Sequence, residues 1–77
     1  MTASWRRLGI IAGGGELPVV LAEHCAEQGG HYFVARITGL ADDRLDVHPG
    51  AAHSLGAMGA RMEALRAADC DAIVMLG

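Results

Sequence analysis

Charge is scarce in this 77-residue chain: 19% of its residues are Asp, Glu, Lys or Arg, and the formal net charge is -3. Its arginines are scattered, so no basic stripe exists that could track a nucleic-acid backbone, and a nucleic-acid partner is set aside. Cysteine is nearly missing as well. Cys25 and Cys70 stand far apart, without a CxxC or a His-Cys pattern of zinc spacing, which supports neither a disulfide framework nor a zinc site. They read as reduced, buried small hydrophobes. Long apolar runs are also lacking. Met1 to Arg7 carries two arginines with no signal-peptide core behind them, and glycines break the longest uncharged run well short of a membrane span. The chain reads as soluble and cytoplasmic. Catalytic sets are absent too: no Ser-His-Asp set, no HExxH and no singled-out carboxylate pair.

What is abundant is apolar surface, at 52% of residues. A domain of this size buries only about 60% of the surface its unfolded chain exposes, so some of that apolar surface calls for a cover.

Leu8 to Ala12 is a short apolar run without alternation, the mark of a strand covered on both faces. Gly13-Gly14-Gly15 follows, then Glu16 and a helix expected over Leu17 to Gln28, opened by Pro18 and stopped by Gly29-Gly30. Leu17, Val20, Leu21, His24 and Cys25 form one stripe on that helix; Val19, Ala22 and Ala26 form a second apolar patch. "HYFVARI", His31 to Ile37, reads as the next strand and "TGLADDRLDVHPG" as a loop. Ala52 to Leu55 reads as a brief extended piece. From Ala57 to Ala68 a helix is expected with Met58, Met62 and Leu65 inward and Arg61, Glu63 and Arg66 outward. Ala72 to Leu76 is a last apolar strand, closed by Gly77.

This order predicts an α/β fold, a Rossmann-like three-layer unit with a short parallel sheet whose first strand is central, flanked by the others. The whole of residues 1–77 forms one such domain. It stops at the carboxyl edge of the sheet, where ligands bind and a further strand or domain normally follows, so a piece of a longer protein is expected.

Gly13 and Gly15 fit the first two positions of G-x-G-x-x-G, but Pro18 occupies the third, and the second strand ends with Arg36 where an acidic residue would meet a ribose. NAD is disfavoured; Arg36 leaves only a 2'-phosphate reading. No Gly-Lys-Ser/Thr follows, which excludes a Walker loop. The glycines serve either a tight turn or a phosphate contact, and Glu16 complements the helix dipole. Asp42, Asp43, Asp46 and His48 lie close in sequence, as for a hard cation, but match no EF-hand, and a solvated loop is the better reading. His24 reads as a partly buried helix residue; His31 and His53 have no partner that the sequence identifies.

Two motifs go further. I-A-G-x-G-x-L-P is met by Ile11, Ala12, Gly13, Gly15, Leu17 and Pro18, and G-x-x-G before a helix ending A-L-R is met by Gly56, Gly59, Ala64, Leu65 and Arg66. From Leu8 to Gly77 the chain resembles the N-terminal domain of the UDP-2,3-diacylglucosamine pyrophosphatase family of Gram-negative lipid A synthesis, the metal-dependent type unrelated to calcineurin-like phosphoesterases. A basic residue usually follows the second glycine in that family; here it is Ala60, with Arg61 one place on. The resemblance implies Mg²⁺-dependent hydrolysis of UDP-2,3-diacylglucosamine to UMP and 2,3-diacylglucosamine 1-phosphate, with a C-terminal domain supplying the catalytic acidic residues and the metal ligands. It also implies that Gly13, Gly14 and Gly15 line the substrate through backbone N-H donors. Gly77 would stand at the opening after the last strand, with Glu16 and Leu17 beside the loop. With no basic amphipathic helix to lie on anionic lipid, only peripheral contact with the inner membrane is expected. An exposed strand edge allows self-association. A stand-alone nucleotide or sugar-phosphate binding module is the alternative.

Overall fold

The computed structural model describes residues 5–77; Met1 to Ser4, the start of the segment weighed above as a leader, lie outside the described residues. Four strands and two helices alternate: β1 (Leu8–Ala12), α1 (Leu17–Glu27), β2 (Tyr32–Ile37), β3 (Gly50–His53), α2 (Met58–Ala67) and β4 (Ala72–Leu76). A 3₁₀ helix, Asp43–Val47, stands within the segment expected to be loop. Its cause is local: the Asp42 carboxylate accepts the Arg44 N-H and so starts the turn, while Leu45 is fully buried.

The sheet is wholly parallel in the order β3-β2-β1-β4. Thus β1 is internal, as expected, but β2 is internal too, and β3 lies beyond it without touching β1. β3 also begins and ends two residues earlier than the expected Ala52 to Leu55. Gly50 is the reason: a Cβ there would run into the Val34 backbone, so this glycine lets β3 close onto β2.

Each face of the sheet has its own core. Leu8, Ile10, Ala12 and Val34 meet Val19 and Ala22 of α1 and Leu45 of the 3₁₀ helix on one side. Ile11, Ala35 and Ile37 meet Leu65 of α2 on the other. Burial of all five β1 residues agrees with its unalternating apolar pattern. Gly9 contributes by absence, since a Cβ would come 2.7 Å from Leu65 Cδ2; the glycine lets α2 lie close on the sheet.

The helices present other faces than their spacing suggested. On α1 the buried residues are Pro18, Val19 and Ala22, with Leu21 and Cys25 partly buried, whereas Leu17, Val20 and His24 are exposed. On α2 Leu65 and Arg61 are buried, and Met58 and Met62 are exposed. β4 alternates: Ile73 and Met75 face outward on the α2 side of the sheet and are 46% and 71% exposed.

Both helices end in the same way. Gly29 and Asp69 adopt left-handed backbones (φ 67° and 61°), and the residue after each returns its N-H to the last turn, Gly30 to the Cys25 carbonyl and Cys70 to that of Leu65.

Candidate functional site

In a parallel sheet ligands settle at the carboxyl edge, in the crevice where the strand order reverses. Here β2 and β3 follow one another on one side of β1 and β4 lies on the other, so that reversal falls between β1 and β4. The Gly13-Gly14-Gly15 loop and Gly77 stand at this point.

These glycines do different things. The Gly13 N-H donates to the Leu76 carbonyl at 2.8 Å, so the ligand donor expected there is already committed to holding β1 on β4. A Cβ on Gly13 would lie 2.6 Å from the Gly77 carbonyl oxygen, and one on Gly77 would lie 2.9 Å from the Gly14 nitrogen. Gly77 also has φ 86°. The two chain segments are in backbone contact that no side chain could share. A Cβ on Gly14 would come 3.3 Å from the Leu40 carbonyl, because the connection after β2 leans over the loop. Gly15 faces open space with φ 91°. Exposure rises along the run, from buried Gly13 through Gly14 to exposed Gly15, Glu16 and Leu17. No backbone carbonyl among the described residues accepts from the Gly14 or Gly15 N-H.

Glu16 occupies the N-cap of α1, yet its side chain caps nothing. Both of its oxygens instead accept from Arg44, Oε1 from Nη2 at 2.7 Å and Oε2 from Nη1 at 3.0 Å. Arg44 also donates to both oxygens of Asp42, from Nε and Nη2, each at 3.0 Å. This arginine holds the Glu16 carboxyl below its usual range and that of Asp42 at about 2. Beyond its expected place by the helix dipole, Glu16 thus makes a tie between α1 and the 3₁₀ helix. Sequence reasoning missed Arg44, 28 residues away, and no local signal marks the pair.

α2 also lacks a side-chain cap, since Ala57 occupies that position. Both helix N-termini at the carboxyl edge thus leave their first amides uncapped, where a Ser, Thr, Asp or Asn would ordinarily serve.

The acidic segment does not gather around a cation. Asp42 is engaged by Arg44, Asp46 lies 3.5 Å from Arg36, and His48 Nδ1 shares a 2.7 Å hydrogen bond with the Tyr32 hydroxyl. No three His, Cys, Asp or Glu side chains stand together as a metal set among the described residues. These residues form no Mg²⁺ site, and the resemblance places the ligands of that ion in a C-terminal domain. Arg36, the one residue that kept a 2'-phosphate reading open, has its partner in Asp46. No helix among the described residues is long and apolar enough to cross a membrane.

Fold and edge together define a Rossmann-like α/β unit with a glycine loop at its switch point. Residues 7–77 match the family described as the LpxI N-terminal domain, and the chain belongs to that family. It is 47% identical over 72 residues to the UDP-2,3-diacylglucosamine pyrophosphatase LpxI of Caulobacter vibrioides (strain ATCC 19089 / CIP 103742 / CB 15). That stretch is 94% of this chain, and the chain spans 26% of the relative's length. The match agrees with the resemblance carried by I-A-G-x-G-x-L-P and G-x-x-G.

Proposed function

We propose that this domain is the substrate-binding part of a hydrolase that cleaves the pyrophosphate of UDP-2,3-diacylglucosamine to UMP and 2,3-diacylglucosamine 1-phosphate, a step of lipid A biosynthesis. The observation that carries the reading is the open pair of amides, Gly14 and Gly15, leading into an uncapped helix at the switch point. The 47% identity to a pyrophosphatase of that specificity supports it. Oriented N-H groups ahead of a helix N-terminus suit an oxyanion of the substrate, and the helix dipole adds to their pull. Gly13 and Gly77 serve the site by letting the two backbones meet, while Glu16 and Leu17 stand at its mouth.

A Mg²⁺ ion bound by residues outside this domain would supply charge neutralisation of the diphosphate and activation of water. Its ligands and the catalytic acidic residues belong to a C-terminal domain. The enzyme acts from the cytoplasm and touches the inner membrane only at the periphery, to reach an acylated substrate. The exposed Ile73 and Met75, on the α2 side of β4, are where the C-terminal domain packs.

Titration of the domain with UDP-2,3-diacylglucosamine and with each product, followed by amide NMR, tests this. Shifts concentrated at Gly14, Gly15 and Leu17 are expected, with Gly13 changing less because its N-H is already bonded. A dispersed spectrum in which none of these amides moves would sink the reading.

A further inference from the structure

On the other flank of the same edge lies a buried guanidinium with no counter-charge. Arg61, the fourth residue of α2, is 5% exposed. Its Nη2 donates to the Ser54 carbonyl at 2.6 Å, and its Nε is sealed from solvent without a partner. Arg6, Arg36, Arg44 and Arg66 each stand by a carboxylate; the side chains of Arg7 and Arg61 meet none among the described residues, and of these two only Arg61 is buried. Nδ1 of His53, next to Ser54, is also buried and unpartnered. Taking a cation out of water and leaving it unpaired is among the costliest arrangements a small domain can hold. Something negative should complete it.

The surroundings suit an oxyanion. Helical side chains lean toward the helix N-terminus, and the bond to Ser54 draws the guanidinium beneath the β3–α2 connection. At that end Met58, Gly59 and Ala60 are exposed in an uncapped first turn. A Cβ on Gly56 or Gly59 would meet nothing within 4 Å, so the approach is open. We propose that the β3–α2 loop is a second oxyanion site, in which Arg61 and the amides of Met58 to Ala60 bind a phosphate group. β2 separates this loop from the glycine loop, a distance of two strand spacings or roughly 10 Å. A single phosphate group could not reach both, so the second site takes a phosphate of its own, and it stands whatever the glycine loop binds.

The test is titration of the full-length protein with inorganic phosphate at constant ionic strength, following the Arg61 Nε-H signal and the amides of Met58, Gly59 and Ala60 by NMR. Disappearance of the Nε-H signal in Arg61→Lys assigns it. The expected result is a saturable shift of all four signals in the wild type, with the affinity read from the three amides weakened about tenfold or more in Arg61→Lys and abolished in Arg61→Met. An Nε-H signal that phosphate leaves unmoved in the folded wild type would overturn the proposal, whether because a carboxylate elsewhere in the protein pairs with Arg61 or because the site is closed. Undiminished affinity in a folded Arg61→Met variant would do the same. Should Arg61→Met not fold, the wild-type titration still decides. The amides of Gly14 and Gly15 report separately, so failure here is distinguishable from failure of the substrate reading.

Discussion

At the scale of single residues, three glycines in contact or beside it carry unequal loads. Gly13 and Gly77 meet backbone to backbone, and Gly77 also needs a left-handed φ. Gly13→Ala and Gly77→Ala should each destabilise the domain by about 1–3 kcal/mol, the range for forcing atoms into a packed site. Gly15→Ala meets no atom and should cost only the left-handed backbone, about 1–2 kcal/mol. Urea unfolding of the three variants checks this order, and a Gly13→Ala domain as stable as wild type would contradict the contact. The Arg44 cluster makes a second prediction. A carboxyl depressed in the folded state lends stability above its unfolded pKa and gives it up as pH falls through the folded value. Asp42, with an ordinary value of 3.8, is held at about 2, first by its hydrogen bond from Arg44, and Glu16 is lowered by the same arginine. The tie between α1 and the 3₁₀ helix should thus hold at neutral pH and loosen between about pH 4 and pH 2. Carboxyl NMR should show the Asp42 titration return toward 3.8 in Arg44→Ala. Global stability should change little, because the pair is exposed.

At the scale of elements, what the sequence made legible was whatever depends on local pattern. The unbroken apolar run of β1, Pro18 opening α1 and Gly29 closing it all read through to the structure. The buried face of each helix did not. α1 has apolar residues on two sides, so its pattern could not choose between Leu17/Val20 and Val19/Ala22, and the sheet chose the smaller pair. α2 was misjudged because an arginine was assumed to face water; its stem can cover apolar surface while its head finds a carbonyl, as Arg61 does at Ser54. The glycine loop was legible as a turn, but the engagement of the Gly13 amide by Leu76 depends on strands more than 60 residues apart. The end of α2 was legible to within a residue, but what closes it was not, since Asp69 takes a left-handed position that glycine usually fills. Asp69→Gly should therefore stabilise the domain by up to about 1 kcal/mol, by relief of left-handed strain offset in part by the chain entropy of glycine. A thermal scan of the variant measures it, and a lower midpoint would mean that the Asp69 side chain contributes more than its backbone costs.

At the scale of the whole molecule, part of the excess of apolar residues noted in the composition gathers on one face. Ile73 and Met75 stand out from β4 on the α2 side, and α2 adds exposed Met58 and Met62. Both β1 neighbours are paired, so the sheet leaves its bare edges at β3 and β4. Of these, β4 borders the switch-point crevice, and a body packed on Ile73 and Met75 would lie along the α2 side of that strand. If the C-terminal domain is that body, this face links the stability of the two parts. The full-length protein should then unfold in one transition, and Ile73→Lys with Met75→Lys should split it into two by uncoupling the domains. The isolated domain should bind a hydrophobic dye and lose that binding in the double variant. Its own stability should shift by no more than about 0.5 kcal/mol per exposed site. A single transition that persists in the double variant would place the contact elsewhere. An isolated domain that is a monomer and binds no dye would mean that this surface needs no cover.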